Sequence, residues 1–235
     1  MPDAGGGSGG GSDAAGGPGL FVTWDDNPRV PGPLTSDIDV TSVSFQIRNF
    51  QLLADAGSVN RAGYLLNWSP SMRPTQEMFS GAPAGVYSRV AIELGGAQVG
   101  YATQIQGVWH DHRGGGGGGG GGGPGPGGGG GGGPGPGGGG GGGGNDDTPT
   151  PFLIQDRKSL PISFACSEEV EATASTSFGV RLDLRDAISH IDFTRLAKNG
   201  DGTLVLDNAS DQMADFRDRL SRAFDIEDSD DAPAP

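Results

Sequence analysis

Alternation of apolar and polar residues runs through most of this chain, and such a period of two is typical of half-buried β-strands. It is clearest in residues 86–94, 101–109 and 170–184, where every second side chain is apolar or small. Shorter apolar runs within residues 20–24 and 38–52 are bounded by Asp, Asn, Gly and Pro, which favour turns. The pattern therefore predicts a mainly β fold, an antiparallel two-sheet β-sandwich of the Ig-like or prealbumin-like kind.

Irregularities in the alternation predict local geometry. Residues 86–109 contain two alternating runs joined by a Gly-Gly turn, so we expect a hairpin. The apolar positions of residues 38–52 change phase, which predicts a β-bulge near Asn49. The eight alternate positions of residues 170–184 predict one long strand or two strands that meet at a bend.

The period lengthens toward that of a helix near the end of the chain. Residues 186–196 predict a short helix, and residues 199–202 predict a tight turn before a small strand at 204–206. Ser210 is a favoured N-cap type, and an apolar stripe with helical spacing follows it. The stripe consists of Met213, Phe216, Leu220 and Phe224. We expect a C-terminal amphipathic helix that packs against the sandwich.

Low-complexity segments shorten the part of the chain that can fold. Residues 114–144 contain only Gly and Pro, and small or acidic residues dominate 1–19 and 227–235. Such segments lack the apolar side chains that a core requires. We predict a disordered tether at 1–19, a single domain at 20–226 interrupted by a disordered insert at 114–144, and a disordered acidic tail at 227–235. Two half-domains separated by the insert are the alternative.

Charge and cysteine content exclude several classes of protein. A net charge of −14 opposes binding to nucleic-acid phosphates and to anionic membranes, so we expect neither. No apolar stretch has the length of a membrane span, and no transmembrane segment is predicted. Cys166 is the single cysteine, which excludes an intramolecular disulfide and a Cys-based zinc cluster. It lies on the apolar side of its strand and is predicted to be a structural thiol.

The strongest candidate for chemistry lies at the end of the run 101–109. His110 and His112 are two residues apart, so on a strand they project from the same face. If the Gly-rich insert closes as a loop, Asp146 and Asp147 return to the same sheet end. These four residues would then hold a divalent transition-metal ion, in a metal-binding module or a metal-dependent enzyme. A solvated strand end is the simpler interpretation.

Other patterns of reactive residues do not indicate catalysis. Ser189 and His190 are neighbours on a predicted helix and do not face each other, and Glu168 and Glu169 point to opposite sides of a strand. The chain has no Gly-x-Ser-x-Gly elbow between a predicted strand and a helix, and no phosphate-binding loop. We therefore expect no enzymatic activity and no cofactor.

Aromatic residues give a third interpretation, a carbohydrate-binding module with a stacking platform. The candidates are Trp24, Trp68, Trp109, Tyr64, Tyr87 and Tyr101. Tyr87 is predicted to be exposed, whereas Trp24, Trp109 and Tyr101 lie on the apolar sides of their strands. Tyr87, Arg89 and Glu93 share the outward side of one strand and form the predicted contact surface.

Residues 83–92, Pro-Ala-Gly-Val-Tyr-Ser-Arg-Val-Ala-Ile, resemble a strand that recurs in uncharacterised β-sandwich domains of bacterial cell-envelope lipoproteins. A Gly-rich break, the strand at 160–166 and the run 178–184 before a short helix follow in a similar order. The resemblance covers residues 20–109 and 151–226 and implies the fold and a place in the cell envelope, outer-membrane or periplasmic. It implies no activity.

The first 19 residues resemble the flexible tether that follows the lipidated cysteine of such lipoproteins. This resemblance implies a lipid anchor on an upstream cysteine that is missing from this sequence. As written, the chain opens without an export signal, which by itself favours a cytoplasmic protein. We expect a non-catalytic cell-envelope module for binding or scaffolding, whose partner is an unknown protein or glycan of the envelope.

Overall fold

The structure is mainly β and contains two sheets. The computed structural model describes residues 19–95, 100–111 and 149–226, which hold thirteen strands, two short α-helices and a 3-10 turn. The first seven strands are β1 (Gly19–Asp26), β2 (Gly32–Pro33), β3 (Ile38–Ala54), β4 (Gly57–Trp68), β5 (Glu77–Ser80), β6 (Gly85–Leu94) and β7 (Thr103–Trp109). The others are β8 (Thr150–Asp156), β9 (Leu160–Val170), β10 (Thr176–Leu182), β11 (Ala197–Lys198), β12 (Leu204–Asp207) and β13 (Phe224–Ile226). The helices are α1 (Arg185–Ser189) and α2 (Met213–Leu220), and the 3-10 turn is Phe193–Arg195. The prediction of a mainly β fold is confirmed.

Both sheets have mixed strand orientation. The smaller sheet has the order β13-β10-β1-β5, and the larger has the order β11-β12-β8-β7-β3-β6-β9, with β2 and β4 also paired to β3. Strand β1 is parallel to β10, and β12 is parallel to β8. The prediction of purely antiparallel sheets is therefore wrong. Each parallel pair joins strands that are distant in sequence, because a tight turn can join only antiparallel neighbours.

The 17-residue strand β3 organises the larger sheet. Strand β7 pairs with residues 38–45 of β3, and β6 pairs with residues 47–54, while β4 takes the opposite edge. Both β6 and β7 run antiparallel to β3, so they lie end to end and point in the same direction. A hairpin requires a reversal of direction, and the predicted hairpin at 86–109 is therefore wrong.

Four register shifts interrupt these ladders, and two of them bear on the predictions. The pairing of β3 with β6 shifts between Ile47 and Asn49, which confirms the predicted bulge. The pairing of β6 with β9 shifts between Tyr87 and Arg89, which the alternation does not reveal. Because an extra residue exchanges the two faces of a strand, Tyr87 is fully buried and Val86 is 44% exposed. The prediction that Tyr87 is exposed is wrong.

Aromatic contacts join the two sheets into one hydrophobic core. Trp24 of β1 lies edge-on to Phe50 of β3, with ring centroids 5.4 Å apart. Phe45 of β3 lies edge-on to Phe224 of β13 at 5.3 Å. Such pairs contribute about 0.5–1.5 kcal/mol each beyond the burial of their area.

The long alternation of residues 170–184 divides between the sheets. Strand β9 ends at Val170 in the larger sheet, and β10 begins at Thr176 in the smaller one. The prediction of one unbroken strand is wrong, and the prediction of two strands is met only in part, because residues 171–175 are an exposed segment outside both strands and only Val170 of β9 falls within 170–184. Phe178 and Val180 of β10 point into the shared core.

The C-terminal region largely follows the predicted order. Met213, Phe216 and Leu220 form the buried side of α2, as their spacing predicts. Phe224 is also buried, but it begins β13, because the chain turns after Leu220 and pairs with Leu182. The predicted helix at 186–196 is divided into α1 and the 3-10 turn. Among the described residues, no helix is long and apolar enough to cross a membrane.

Candidate functional site

A pocket of about 270 Å³ opens where β3 begins and β7 ends. Three separate segments line it: residues 35–38 at the start of β3, residues 109–111 at the end of β7, and Ser189 at the end of α1 with residues 191–194 after it. Ile38 pairs with Trp109, and the N–H of His110 donates to the carbonyl of Asp37 at 2.8 Å. This extra rung of the β3–β7 ladder holds the first two segments side by side.

The imidazole of His110 is held by a carboxylate of β3. Its Nε2 lies 3.1 Å from Oδ2 of Asp39, and 26% of the His110 side chain is exposed. The contact is a hydrogen bond with the neutral ring and an ion pair with the protonated ring. Asp39 therefore fixes the orientation of His110 at the pocket wall.

Asp192 brings the third segment into position. Its Oδ1 accepts hydrogen bonds from the N–H of Thr194 at 3.2 Å and from the hydroxyl of Thr194 at 2.5 Å, so it caps the 3-10 turn. Gln212, directly before α2, accepts from the N–H of Asp192 at 2.7 Å and donates to its carbonyl at 3.2 Å. Both backbone groups of Asp192 are thus tied to the start of α2.

Trp109 provides the aromatic wall. Its ring stacks on Phe193 with centroids 5.7 Å apart and an interplanar angle of 14°, and Phe193 contacts Phe152 at 5.0 Å. Gly107 makes this arrangement possible, because a Cβ there would lie 2.3 Å from both the Phe152 ring and the carbonyl oxygen of Asp39. A glycine within a strand often marks such a close approach. Trp109 itself is half-buried and lines the pocket.

The predicted metal site falls only partly within the structure. His110 lies in the pocket, whereas His112, Asp146 and Asp147 lie outside the described residues. In residues 19–95, 100–111 and 149–226, no group of three or more His, Cys, Asp or Glu side chains is arranged to hold a metal ion. The four-residue site stays a prediction.

The predicted contact surface on β6 loses its aromatic member. Tyr87 is buried, and its hydroxyl donates to the carbonyl of Pro83 at 3.0 Å. Burial raises the pKa of the Tyr87 hydroxyl. Arg89 stays exposed, and Glu93 lies 3.1 Å from Arg48 in a solvent-exposed ion pair. Exposed pairs of this kind contribute little to stability, and a contact surface at Arg89 and Glu93 stays a prediction.

The six aromatic candidates do not form one platform. Trp24, Trp68 and Tyr87 are buried, and the hydroxyl of Tyr64 is buried as well. Burial, and then the nearby carboxylate of Glu77, raise the pKa of Tyr64 well above its ordinary value. Trp109 is the one of the six that lines the pocket beside His110.

Cys166 has the environment of an unreactive thiol. Its Sγ donates to the carbonyl of Tyr87 at 3.3 Å, and the residue is half-buried. Burial raises its pKa to about 11, and the carboxylate of Glu168 adds to the effect. Because the thiolate is the nucleophile, this supports the structural role expected from the sequence.

Sequence patterns did not reveal most of the pocket. Its carboxylates at Asp37 and Asp192 belong to segments more than 150 residues apart, so no motif spacing connects them. Asp192 carried one local signal, since an Asp two residues before Thr194 favours a capped turn. Gly107 was a second local signal, since a glycine within a strand of larger residues often marks a place where other atoms approach the backbone closely.

This chain matches no known protein-family model, no curated protein and no solved structure. The resemblance to cell-envelope lipoprotein domains therefore stays a prediction.

Proposed function

We propose that this chain is a non-catalytic binding module that contacts its ligand through the pocket beside His110. The observation that carries the proposal is the combination of an aromatic wall with several polar groups around one concave space. Binding sites for small ligands have this composition, since apolar area supplies affinity and a few polar groups fix orientation.

Hydrogen bonds and ring stacking hold the walls of the pocket in place, which supports a binding role. Asp39 orients His110, Phe193 backs Trp109, and Gln212 holds Asp192. A site whose side chains are already fixed loses less conformational entropy when a ligand binds.

The proposal includes the finer fold class and the location. Contacts between Trp24 and Phe50, and between Phe45 and Phe224, support a two-layer β-sandwich. The two parallel strand pairs distinguish it from the all-antiparallel Ig arrangement. A place in the cell envelope rests on the resemblance of residues 83–92. A reading frame upstream that encodes a basic and then apolar segment ending in cysteine would support this location, and an immediately preceding stop codon would contradict it.

Blocking the pocket tests the proposed site. Ser189 is an exposed pocket residue at the end of α1, so Ser189→Trp fills the space with little change to the core. Ser163→Trp, on the exposed side of β9, is the matched control. Binding to immobilised envelope extract, separated into protein and glycan fractions, should be lost in the first variant and kept in the second. Equal binding by both variants would show that the ligand site lies elsewhere.

A further inference from the structure

We infer that the pocket beside His110 binds an organic cation, an ammonium or guanidinium group that contacts both the carboxylates of the wall and the ring of Trp109. This inference rests on the proposed function, because it names the ligand class of the same pocket. A lysine or arginine side chain of a partner protein carries such a group, and so does a free amine.

Formal charge in the pocket wall is mostly negative. The carboxylates of Asp37, Asp111 and Asp192 line the pocket, and Asp39 stands behind His110. Among the described lining residues there is no Lys or Arg. The whole chain also has a net charge of −14. A cation is therefore attracted to this pocket, whereas an anion is repelled.

Hydrogen-bond donors of the wall are largely used within the protein. The hydroxyl of Ser36 donates to the carboxylate of Asp37, and the hydroxyl of Thr194 donates to that of Asp192 at 2.5 Å. These two hydroxyl groups therefore present only lone pairs to a ligand. Backbone N–H groups of the wall that also donate to protein acceptors are those of Asp37, His110, Ile191, Asp192 and Thr194.

Acceptor capacity remains in the same wall. A carboxylate offers about four acceptor positions, so Asp37, Asp111 and Asp192 can accept from a ligand in addition to the partners that each has in the protein. Thr35 and Ser189 add two hydroxyls that accept as well as donate. A neutral polyol would bring acceptor lone pairs for which this wall has few donors. An ammonium or guanidinium group only donates, so it matches the wall.

The aromatic wall favours an organic cation over a metal ion. Trp109 lines the pocket, and Phe193 stacks on its ring with centroids 5.7 Å apart. The negative π face of an indole attracts an ammonium or guanidinium group. A metal ion requires several ligand atoms around it, and no three His, Cys, Asp or Glu side chains of the described residues are arranged to hold one. A volume of about 270 Å³ suits one charged head group.

A titration followed by NMR tests the inference. The ¹⁵N-labelled chain is titrated separately with methylguanidinium, methylammonium, the peptide acetyl-Gly-Arg-Gly-amide, glucose and inorganic phosphate. Sodium chloride at about 150 mM screens attraction between charges more than about 8 Å apart. The backbone amides of His110 and Thr194 report on two sides of the pocket. We expect methylguanidinium or methylammonium to shift both signals, and glucose and phosphate to shift neither.

Matched variants test the site and the charge. Ser189→Trp should weaken binding of the cation about tenfold or more, and Ser163→Trp should bind like the unaltered chain. Asp111→Asn removes one exposed carboxylate of the wall and should weaken binding about two- to fivefold. Asp201→Asn makes the same change of charge in an exposed turn that does not line the pocket, and it should have no effect.

The peptide distinguishes the two sources of the cation. Binding of the peptide at the same amides assigns the site to an arginine or lysine side chain of a partner protein. Binding of methylguanidinium or methylammonium with exclusion of the peptide assigns it to a free amine. Both results support an organic cation as the ligand.

The remaining outcomes separate this inference from the proposed function. Shifts with glucose or phosphate, and with neither small cation, would overturn the cation assignment and leave the pocket as a binding site. Equal effects of Asp111→Asn and Asp201→Asn would overturn the assignment too, because the attraction would then belong to the whole acidic surface. Shifts confined to amides outside the pocket and unchanged in Ser189→Trp would overturn both the assignment and the proposed site. The absence of any shift with the cations would overturn the assignment, and the extract experiment would then decide the proposed function alone.

Discussion

The ion pair between Arg217 and Asp156 is the contact whose loss we expect to destabilise this protein most clearly. Asp156, at the end of β8, is fully buried, whereas 20% of the Arg217 side chain is exposed. The carboxylate also accepts from Asn208 Nδ2 at 2.6 Å and from the N–H of Lys158 at 2.9 Å. Arg217 further donates to the carbonyl of Ser159 at 2.6 Å. The pair thus fastens α2 to the turn between β8 and β9.

Arg217→Met removes the cation and leaves the carboxylate buried. Loss of one partner of a buried ion pair costs about 3–5 kcal/mol. Two donors stay in place and Arg217 is partly exposed, so we expect the lower end, about 3 kcal/mol. For a domain of this size that loss lowers Tm by about 6–12 °C. Urea unfolding followed by the fluorescence of the buried Trp24 and Trp68 measures it.

Two further variants make the test specific. Arg222→Met removes a guanidinium whose ion pair with Asp218 is exposed, and it should cost less than about 1 kcal/mol. Asp156→Asn combined with Arg217→Met removes the buried charge as well as its partner, and this double variant should be more stable than Arg217→Met alone. Equal losses for Arg217→Met and Arg222→Met, or a double variant less stable than the single one, would refute the reasoning.

Three other predictions follow from single positions. Gly107→Ala should destabilise the fold by about 1–3 kcal/mol, because the added Cβ would meet the Phe152 ring and a backbone oxygen. Gly200→Ala is the control and should be nearly neutral, because the space around Gly200 is open. Thermal unfolding compares the two variants, and equal Tm values would contradict the close packing at Gly107. At pH 8, Cys166 of the folded chain should react with iodoacetamide at least about tenfold more slowly than Cys166 of the urea-unfolded chain, because burial raises the pKa of the thiol to about 11. The reaction of the folded chain should become faster as the pH rises toward that value. A fast reaction of the folded chain at pH 8 would contradict the buried thiol. If the predicted metal site exists, a calorimetric titration with zinc should show binding to the unaltered chain and none to the double variant His110→Ala, His112→Ala. Identical titrations of the unaltered chain and the double variant would remove that hypothesis.

The proposed binding pocket depends on the position of α2. Arg217 fixes this helix to the larger sheet, and Gln212 at its start holds Asp192 at the pocket. A shift of α2 would disturb the two hydrogen bonds between Gln212 and the backbone of Asp192. Weakened ligand binding in Arg217→Met below its unfolding temperature would therefore be expected.

Local pattern was sufficient to predict most strands and the helix of this protein. The secondary structure of residues 86–94 and 213–220 can be predicted from the sequence, because burial of one face places apolar residues at a period of two in a strand and 3.6 in a helix. The bulge at Asn49 was visible because large apolar residues flank it on both phases. The register shift between Tyr87 and Arg89 was hidden, because the exposed Val86 has the same parity as the buried apolar residues further along β6.

Pairing of strands and assembly of the pocket were decided by the tertiary structure alone. Strand β1 pairs in parallel with β10, and both β6 and β7 pair with β3. Burial in the shared core stabilises these contacts between segments that no tight turn connects. The pocket likewise joins residues 35–38, 109–111 and 189–194. Periodicity records which face of an element is buried, but it carries no information about which other element buries it. Strand content and the amphipathic helix therefore came from the sequence, whereas the mixed sheets and the site around His110 depended on packing between distant parts of the chain.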